Sequence, residues 1–186
     1  MTDENPDPPA IAVRPAIEGD AARIARVHVE SWQSTYQGLV PQPILDGLSI
    51  DRRTAFWSGL LVEPGESRTW VGELDGRVVG FVGTGRSTDP DLAADTAAVE
   101  SIYLLPRVLG LGLGRLLLRT ATSDLVERGF AKASLWVFTA NDRARRFYEA
   151  AGWRPDGTAQ MLDFDGTGIE EVRYRIDLAG KPQGST

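Results

Sequence analysis

The chain of 186 residues contains no cysteine, a single histidine and, among 20 basic residues, only two lysines, Lys132 and Lys181. Each scarcity removes a class of chemistry. Without thiols there is no disulfide, no thiolate nucleophile and no cysteine-ligated zinc. One histidine, His28, cannot build a histidine cluster, so no metal centre is expected. No apolar run approaches the roughly 20 residues needed to cross a bilayer, and no membrane partner is expected. The opening "MTDENPDPPA" has neither a basic region nor an apolar segment and is unlike a secretory signal. A cytoplasmic location is the default expectation. A basic excess is missing as well. The net charge of −6 argues against nucleic acid as a partner and mildly favours cationic partners.

What remains is ordinary for a globular domain: 42% apolar and 25% charged residues, on a chain long enough for one core. Residues 1–10 are rich in Pro, Asp and Asn, and residues 179–186 read "AGKPQGST". Both are expected to be disordered tails. That leaves 11–178 as a single domain, with no repeat and no linker.

"IAVRPA" reads as a short strand. In "EGDAARIARVHVESWQSTY", Ala21, Ile24, Ala25, His28 and Trp32 fall on one helical face. "QGLVPQP" breaks the pattern, and "SIDRRTAFWSGLLV" reads as a second helix with Ser49 as its cap. "SRTWVGELDGRVVGFVGTGRS" is a strand pair around Asp75-Gly76, a strong hairpin signal. "AAVESIYLL" is a strand. A helix from about Gly112 to Glu127 follows, ended by Gly129. "KASLWVFT" is a strand, and "NDRARRFYEAAG" a helix between Asn141 and Gly152. "AQMLDFD" and "IEEVRYRIDL" close the chain as a β pair around Gly166 and Gly168. The order β-α-α-β-β-β-α-β-α-β-β predicts a mixed α/β sheet.

The most unusual segment is "LLPRVLGLGLGRLLL", residues 104–118, with Gly110, Gly112 and Gly114 between a strand and a helix. Unpaired N–H groups at a helix N-terminus attract phosphate, and glycines allow close approach. Spacing excludes two common phosphate loops. A P-loop needs G-x-x-x-x-G-K-[ST], but Arg115 and Leu116 follow Gly114. A dinucleotide fingerprint needs G-x-G-x-x-G, but Arg115 holds the third glycine's position. The pattern is G-x-G-x-G-R. By itself it fits a pyrophosphate cradle or a bare strand–helix junction equally well.

"ESIYLLPRVLGLGLGRLLL", followed about thirty residues on by "LWVFTANDRARRFYEAAGWRPDG", resembles the GCN5-related N-acetyltransferase (GNAT) family. The likeness covers roughly residues 11–178. Its more specific part is Asn141 opening a helix, Tyr148 seven residues later, then Gly152 and an aromatic. It implies a mixed, mostly antiparallel twisted sheet of about seven strands, flanked by about four helices. It implies acetyl-CoA as co-substrate, lying where the fourth and fifth strands splay apart. Ile102, Tyr103 and Leu104 would then offer main-chain groups to pantetheine. Gly110, Leu111, Gly112, Leu113, Gly114 and Arg115 would cradle the pyrophosphate, and Asn141 would bond to the cofactor arm. The family pattern usually has Gln or Arg where this chain has Leu109; the backbone N–H groups remain as donors, and Arg107 or Arg115 could substitute for the missing side chain.

Acetyl transfer to an amine needs a base for the amine proton, a donor for the carbonyl oxygen, a proton for the leaving sulfur and alignment of both substrates. By the resemblance, Glu100 is the candidate base, Tyr148 the candidate acid, and the N–H of Leu104 the oxyanion donor. Trp32 and Tyr36, at the end of the first helix, would wall the acceptor site. Read from the residues alone, Glu100 is also a strand-end carboxylate and Tyr148 a core aromatic. His28 reads as a packed residue. Asp89, Asp91 and Asp95 read as a solvated loop. Arg143 would approach the cofactor's nucleotide end, with Arg145 and Arg146 as surface charges. The expected activity is N-acetylation of a small-molecule or peptide amine. The alternatives are a non-catalytic CoA-binding module, and transfer of another acyl group or to a hydroxyl. The resemblance also admits a homodimer.

Overall fold

A computed structural model of the protein describes residues 10–178, so both tails lie outside the described residues, except Ala10. Ala10 is held at the sheet edge, where its N–H donates to Asp75 Oδ1 at 2.9 Å. The strands are β1 (Ile11–Pro15), β2 (Arg68–Leu74), β3 (Arg77–Arg86), β4 (Thr96–Leu104), β5 (Lys132–Phe138), β6 (Arg154–Phe164) and β7 (Thr167–Asp177). The helices are α1 (Ala21–Thr35), α2 (Gln42–Asp46), α3 (Ile50–Val62), α4 (Leu113–Glu127) and α5 (Asp142–Ala150). Short 3-10 turns cover Glu18–Asp20 and Pro106–Val108.

One seven-stranded sheet runs in the order β1-β2-β3-β4-β5-β7-β6. Every neighbouring pair is antiparallel except β4 and β5. The expected mixed, mostly antiparallel sheet of about seven strands is therefore present. Among the described residues the helix count is five rather than about four. The extra one is α2, which starts inside the segment read as a break. Its Pro43 sits in the first turn, where a missing N–H costs nothing.

Local chemistry explains the turns. Asp75 (φ 51°) and Gly76 (φ 72°) are both left-handed, as the two-residue turn between β2 and β3 requires. Asp165 and Gly166 repeat the device between β6 and β7. Ser49 caps α3 by accepting from the Arg52 N–H at 3.2 Å.

The sheet is covered on both faces. Phe81 of β3 meets His28 of α1, while its neighbour Gly80 faces Leu117 of α4. Consecutive strand residues point to opposite sides, so α1 and α4 lie on opposite faces. Gly72 and Gly80 are direct register partners on β2 and β3. A methyl at Gly72 would fall 2.9 Å from Leu113 Cδ1, and one at Gly80 3.3 Å from Leu117 Cδ1. Together they form a trough for the first two turns of α4. Leu113 and Leu117 are almost wholly buried there, each contributing about 1.5–3 kcal/mol. This trough fixes where the N-terminus of α4 points.

Candidate active site

β4 and β5 pair at only three positions, Thr96 with Lys132, Ala97 with Ala133 and Ala98 with Ser134. Beyond Ala98 and Ser134 they diverge and open a cleft of about 900 Å³. A β-bulge accompanies the divergence. Gly83 pairs with Ser101 and Thr84 with Val99, so Glu100 is the extra residue on β4. Bulges bend a strand and re-aim a side chain. The Glu100 side chain lies over Gly85 of β3, where a methyl would fall 2.5 Å from Oε1. Glu100 lines the cleft, and although water reaches it, desolvation by the surrounding protein raises its pKa.

The β3–β4 register orients the next main-chain groups. Leu105 N–H bonds to the Val79 carbonyl, so Tyr103 and Ser101 share the hydrogen-bonded positions facing β3. Ile102 and Leu104 alternate with them and turn their main-chain groups toward the gap. The Leu104 carbonyl accepts from the Ser31 hydroxyl at 2.8 Å, which ties β4 to α1. The Tyr103 ring stacks on His28 at 5.1 Å.

The glycine loop closes one end of the cleft. Gly110 (φ 85°) and Gly112 (φ 87°) adopt left-handed backbone that a side chain would strain. Gly112 is also the N-cap of α4, and no side chain caps this helix. The first bond into α4 runs from the Leu116 N–H to the Gly112 carbonyl. The N–H groups of Gly112, Leu113, Gly114 and Arg115 therefore have no intrahelical partner. Gly114 differs from the other two. Its φ is not left-handed, and a methyl there would meet only ordinary contacts, 3.5 Å to Leu104 and 3.6 Å to Phe147. The fold does not need a glycine at this position. Gly110, Gly112, Gly114, Arg115 and Leu109 all line the cleft, whereas Leu111 is an exposed apolar residue and Leu113 is core.

Asn141 caps α5 by accepting from the Ala144 N–H at 3.1 Å, and its side chain lines the cleft. From α5, Phe147 and Tyr148 form part of the wall. Tyr148 is nearly buried, and desolvation pushes its phenol pKa up. Trp32 and Tyr36 lie at the other end, with ring centroids 4.9 Å apart, and Phe138 and Phe164 complete an aromatic wall. Charges of both signs line the cleft, Arg86 at the end of β3 among them. Arg115 and Arg143 come from the first turns of α4 and α5. The carboxylates Asp89, Glu100 and Glu171 come from the β3–β4 loop, the bulge and β7.

Several residues behave otherwise than the sequence suggested. Asp91 and Asp95 are exposed, as a solvated loop would be, but Asp89 and Asp91 are also paired with a buried cation. Arg173 of β7, almost wholly buried, bonds Asp91 at 2.6 Å and Asp156 at 2.7 Å, with Asp89 at 3.5 Å. The ion cluster ties the β3–β4 loop to the far half of the sheet. Arg145 is no free surface charge, since its Nε donates to Tyr174 Oη at 3.2 Å and its Nη1 to the Thr139 carbonyl. His28 is packed, as expected, but it is not the hydrogen-bonded histidine such a position usually holds: its Nδ1 has no partner among the described residues, and burial lowers its pKa to about 4. Gln160, Glu171 and Trp136 were missed. The alternation in "IEEVRYRID" places Glu171, Arg173 and Arg175 on one strand face, a signal that could have flagged them.

Residues 28–153 match the sequence profile of the Acetyltransferase (GNAT) family. Over 168 residues, the chain is 29% identical to the uncharacterized N-acetyltransferase YuaI of Bacillus subtilis, covering 87% of this chain and 90% of that one. The fold is similar to that of PaiA N-acetyltransferase from Thermoplasma acidophilum, solved with coenzyme A. The TM-score is 0.73 and the identity 19%, over 90% of this chain and 99% of that one. It is also similar to YncA from Salmonella typhimurium, solved with acetyl-CoA, at a TM-score of 0.69 and 20% identity, covering 92% and 96%.

Proposed function

The chain belongs to the Acetyltransferase (GNAT) family, and from that premise we propose that it transfers an acetyl group from acetyl-CoA to a primary amine of a small molecule or peptide. The observation that carries this reading is the cleft itself. It is lined by the uncapped amides that open α4, with Arg115 and Arg143 from the first turns of α4 and α5, and also by carboxylates and aromatic rings. An anionic pyrophosphate suits the amides and arginines, and a cationic amine the carboxylates and rings.

Acetyl-CoA supplies the activated acyl group, and the chain's own residues supply the rest. The amides of Gly112, Leu113, Gly114 and Arg115 bind the pyrophosphate, and the Asn141 amide nitrogen remains available to the cofactor arm. The Leu104 N–H, turned toward the gap, donates to the carbonyl oxygen as charge develops there. Glu100 accepts the amine proton, directly or through water. Its raised pKa brings it closer to neutrality, where a base removes protons more effectively. The N–C bond forms, the C–S bond breaks, and the sulfur leaves as thiolate. Tyr148 stays protonated throughout the physiological range. Full proton transfer from a phenol above its ordinary value of ~10 to a thiolate of ordinary thiol pKa ~8.5 is uphill. Its protonated phenol is the candidate donor to the leaving sulfur, as a hydrogen bond that strengthens while charge develops there.

Leu109 favours a second reading, a CoA-binding module without turnover, because an apolar side chain, 38% exposed, stands where a phosphate donor is expected. Two measurements separate the readings. Acetyl-CoA should raise the melting temperature, and free CoA should appear when acetyl-CoA is incubated with a panel of primary amines. No shift at millimolar acetyl-CoA overturns both readings. A shift without CoA release across the panel leaves only the non-catalytic one.

A further inference from the structure

Glu171 of β7 is a carboxylate that the transfer reaction does not use, yet it is 8% exposed and lines the same cleft as Glu100. Its Oε1 accepts from Gln160 Nε2 at 2.5 Å, across the β6–β7 register pair. No bond occupies Oε2 among the described residues, and it is not among the buried unpartnered atoms, so it opens to the cleft. Among the described residues no cation pairs with Glu171. Arg173, two residues along the same face, is already committed to Asp89, Asp91 and Asp156. Arg86 is committed to Glu66 at 2.8 Å. A buried carboxylate supported only by a neutral amide is costly to ionise, and a cation restores the balance. Phe138 is the register partner of Glu171 on β5, its ring packs against those of Tyr36 and Phe164, and these rings with Trp32 line the same cleft as Glu100.

We propose that the acceptor carries a second positive charge, which Glu171 anchors while the aromatic wall holds an apolar spacer and the reacting amine reaches Glu100. Gln160 is the positioning residue that fixes one carboxylate oxygen and leaves the other for the ligand. Glu171 makes no bond to the reacting atoms; it selects the substrate. The inference rests on the acetyl-transfer reading above and deepens it.

The test compares straight-chain α,ω-diamines with monoamines of equal length, using the full chain and acetyl-CoA. Wild-type protein should prefer a diamine of one particular length. Glu171→Gln should raise KM for that diamine by at least ~10-fold, as expected for losing a charged hydrogen bond. It should leave its kcat within about twofold and the monoamine KM unchanged. Glu171→Asp draws the anchor back by one methylene and should move the preferred diamine toward a longer chain. Wild-type protein that acetylates monoamines as well as diamines overturns this inference alone. So does a Glu171→Gln variant that loses kcat on both series together with a limb of its pH profile, because Glu171 would then be a base. An unmoved length optimum in a folded Glu171→Asp protein overturns it too. Protein that melts higher with acetyl-CoA but acetylates no amine overturns the acetyl-transfer reading and this one with it.

Discussion

Gly114→Ala separates what the fold requires from what the ligand requires. Gly114 is the second residue of α4, and its added methyl would meet Leu104 and Phe147 at 3.5 and 3.6 Å without forcing either to move. Alanine in a helix is worth about 0.5–1 kcal/mol over glycine. For a domain of this size, 1 kcal/mol corresponds to about 2–4 °C in melting temperature. The free variant should therefore melt about 1–4 °C higher than wild type. The same methyl would project into the cleft beside the uncapped amides. At acetyl-CoA one hundredfold above Kd, wild type should gain about 2.7 kcal/mol, or about 5–11 °C. A tenfold loss of affinity removes about 1.4 kcal/mol of that, or about 3–5 °C. The assay is differential scanning fluorimetry with and without acetyl-CoA. Gly112→Ala is the contrast: its φ of 87° makes alanine strained by about 1–2 kcal/mol, so the free protein should itself melt lower. If Gly114→Ala shows the wild-type ligand shift, the cofactor does not approach the first turn of α4, and the cradle assignment fails.

Glu100→Gln should lower turnover by about 10²–10⁴-fold and abolish the acidic limb of the kcat/KM profile. Because its folded pKa is raised, Glu100 contributes stability at low pH that is lost as pH rises through that pKa. Glu100→Gln should accordingly melt higher than wild type at neutral pH, and a lower melting point there would contradict the desolvation argument. His28 has the opposite sign. Its pKa falls from 6.5 to about 4, so the stability it supports is complete above 6.5 and is lost as pH falls toward 4. The gap is worth roughly 3 kcal/mol at about 1.4 kcal/mol per pH unit. His28→Phe should flatten that part of a denaturant-unfolding series recorded against pH. Arg173→Met strips the cation from three carboxylates and should cost about 3 kcal/mol by urea denaturation. Hydrogen exchange should also speed up in residues 87–95, and unchanged exchange there would mean that the ion cluster does not hold the loop.

Local chemistry made much of the architecture legible. Asp75-Gly76 announced a turn because only a few residues tolerate left-handed backbone. Asn141 announced a helix start because its side chain caps the first turn. Periodicity delivered the strands and long helices. The helix α2 escaped because proline, read as a breaker, is equally at home in a first turn. Long-range pairing was not legible. That Arg173 meets Asp89, Asp91 and Asp156, or that Glu171 leans on Gln160, depends on strands brought together by the whole topology. The bulge at Glu100 was hidden for the same reason, since it exists only as a mismatch between β4 and β3. The glycine ladder marked the loop that opens α4, but only three-dimensional geometry separates two glycines demanded by backbone from one that is not.

Among the described residues, three register pairs between β4 and β5 are the strand pairing that joins two half-sheets. In outline the two half-sheets are like a pair of jaws, joined along Thr96–Ala98 and Lys132–Ser134. The Arg173 cluster is a clasp from the β3–β4 loop to β7. A molecule lying in the gap would act as a strut, restoring across the opening the bonds that the absent strand ladder would have made. Stiffening should then reach both jaws at once, including amides that no ligand atom touches. The cleft's width becomes a mechanical variable that the ligand itself sets.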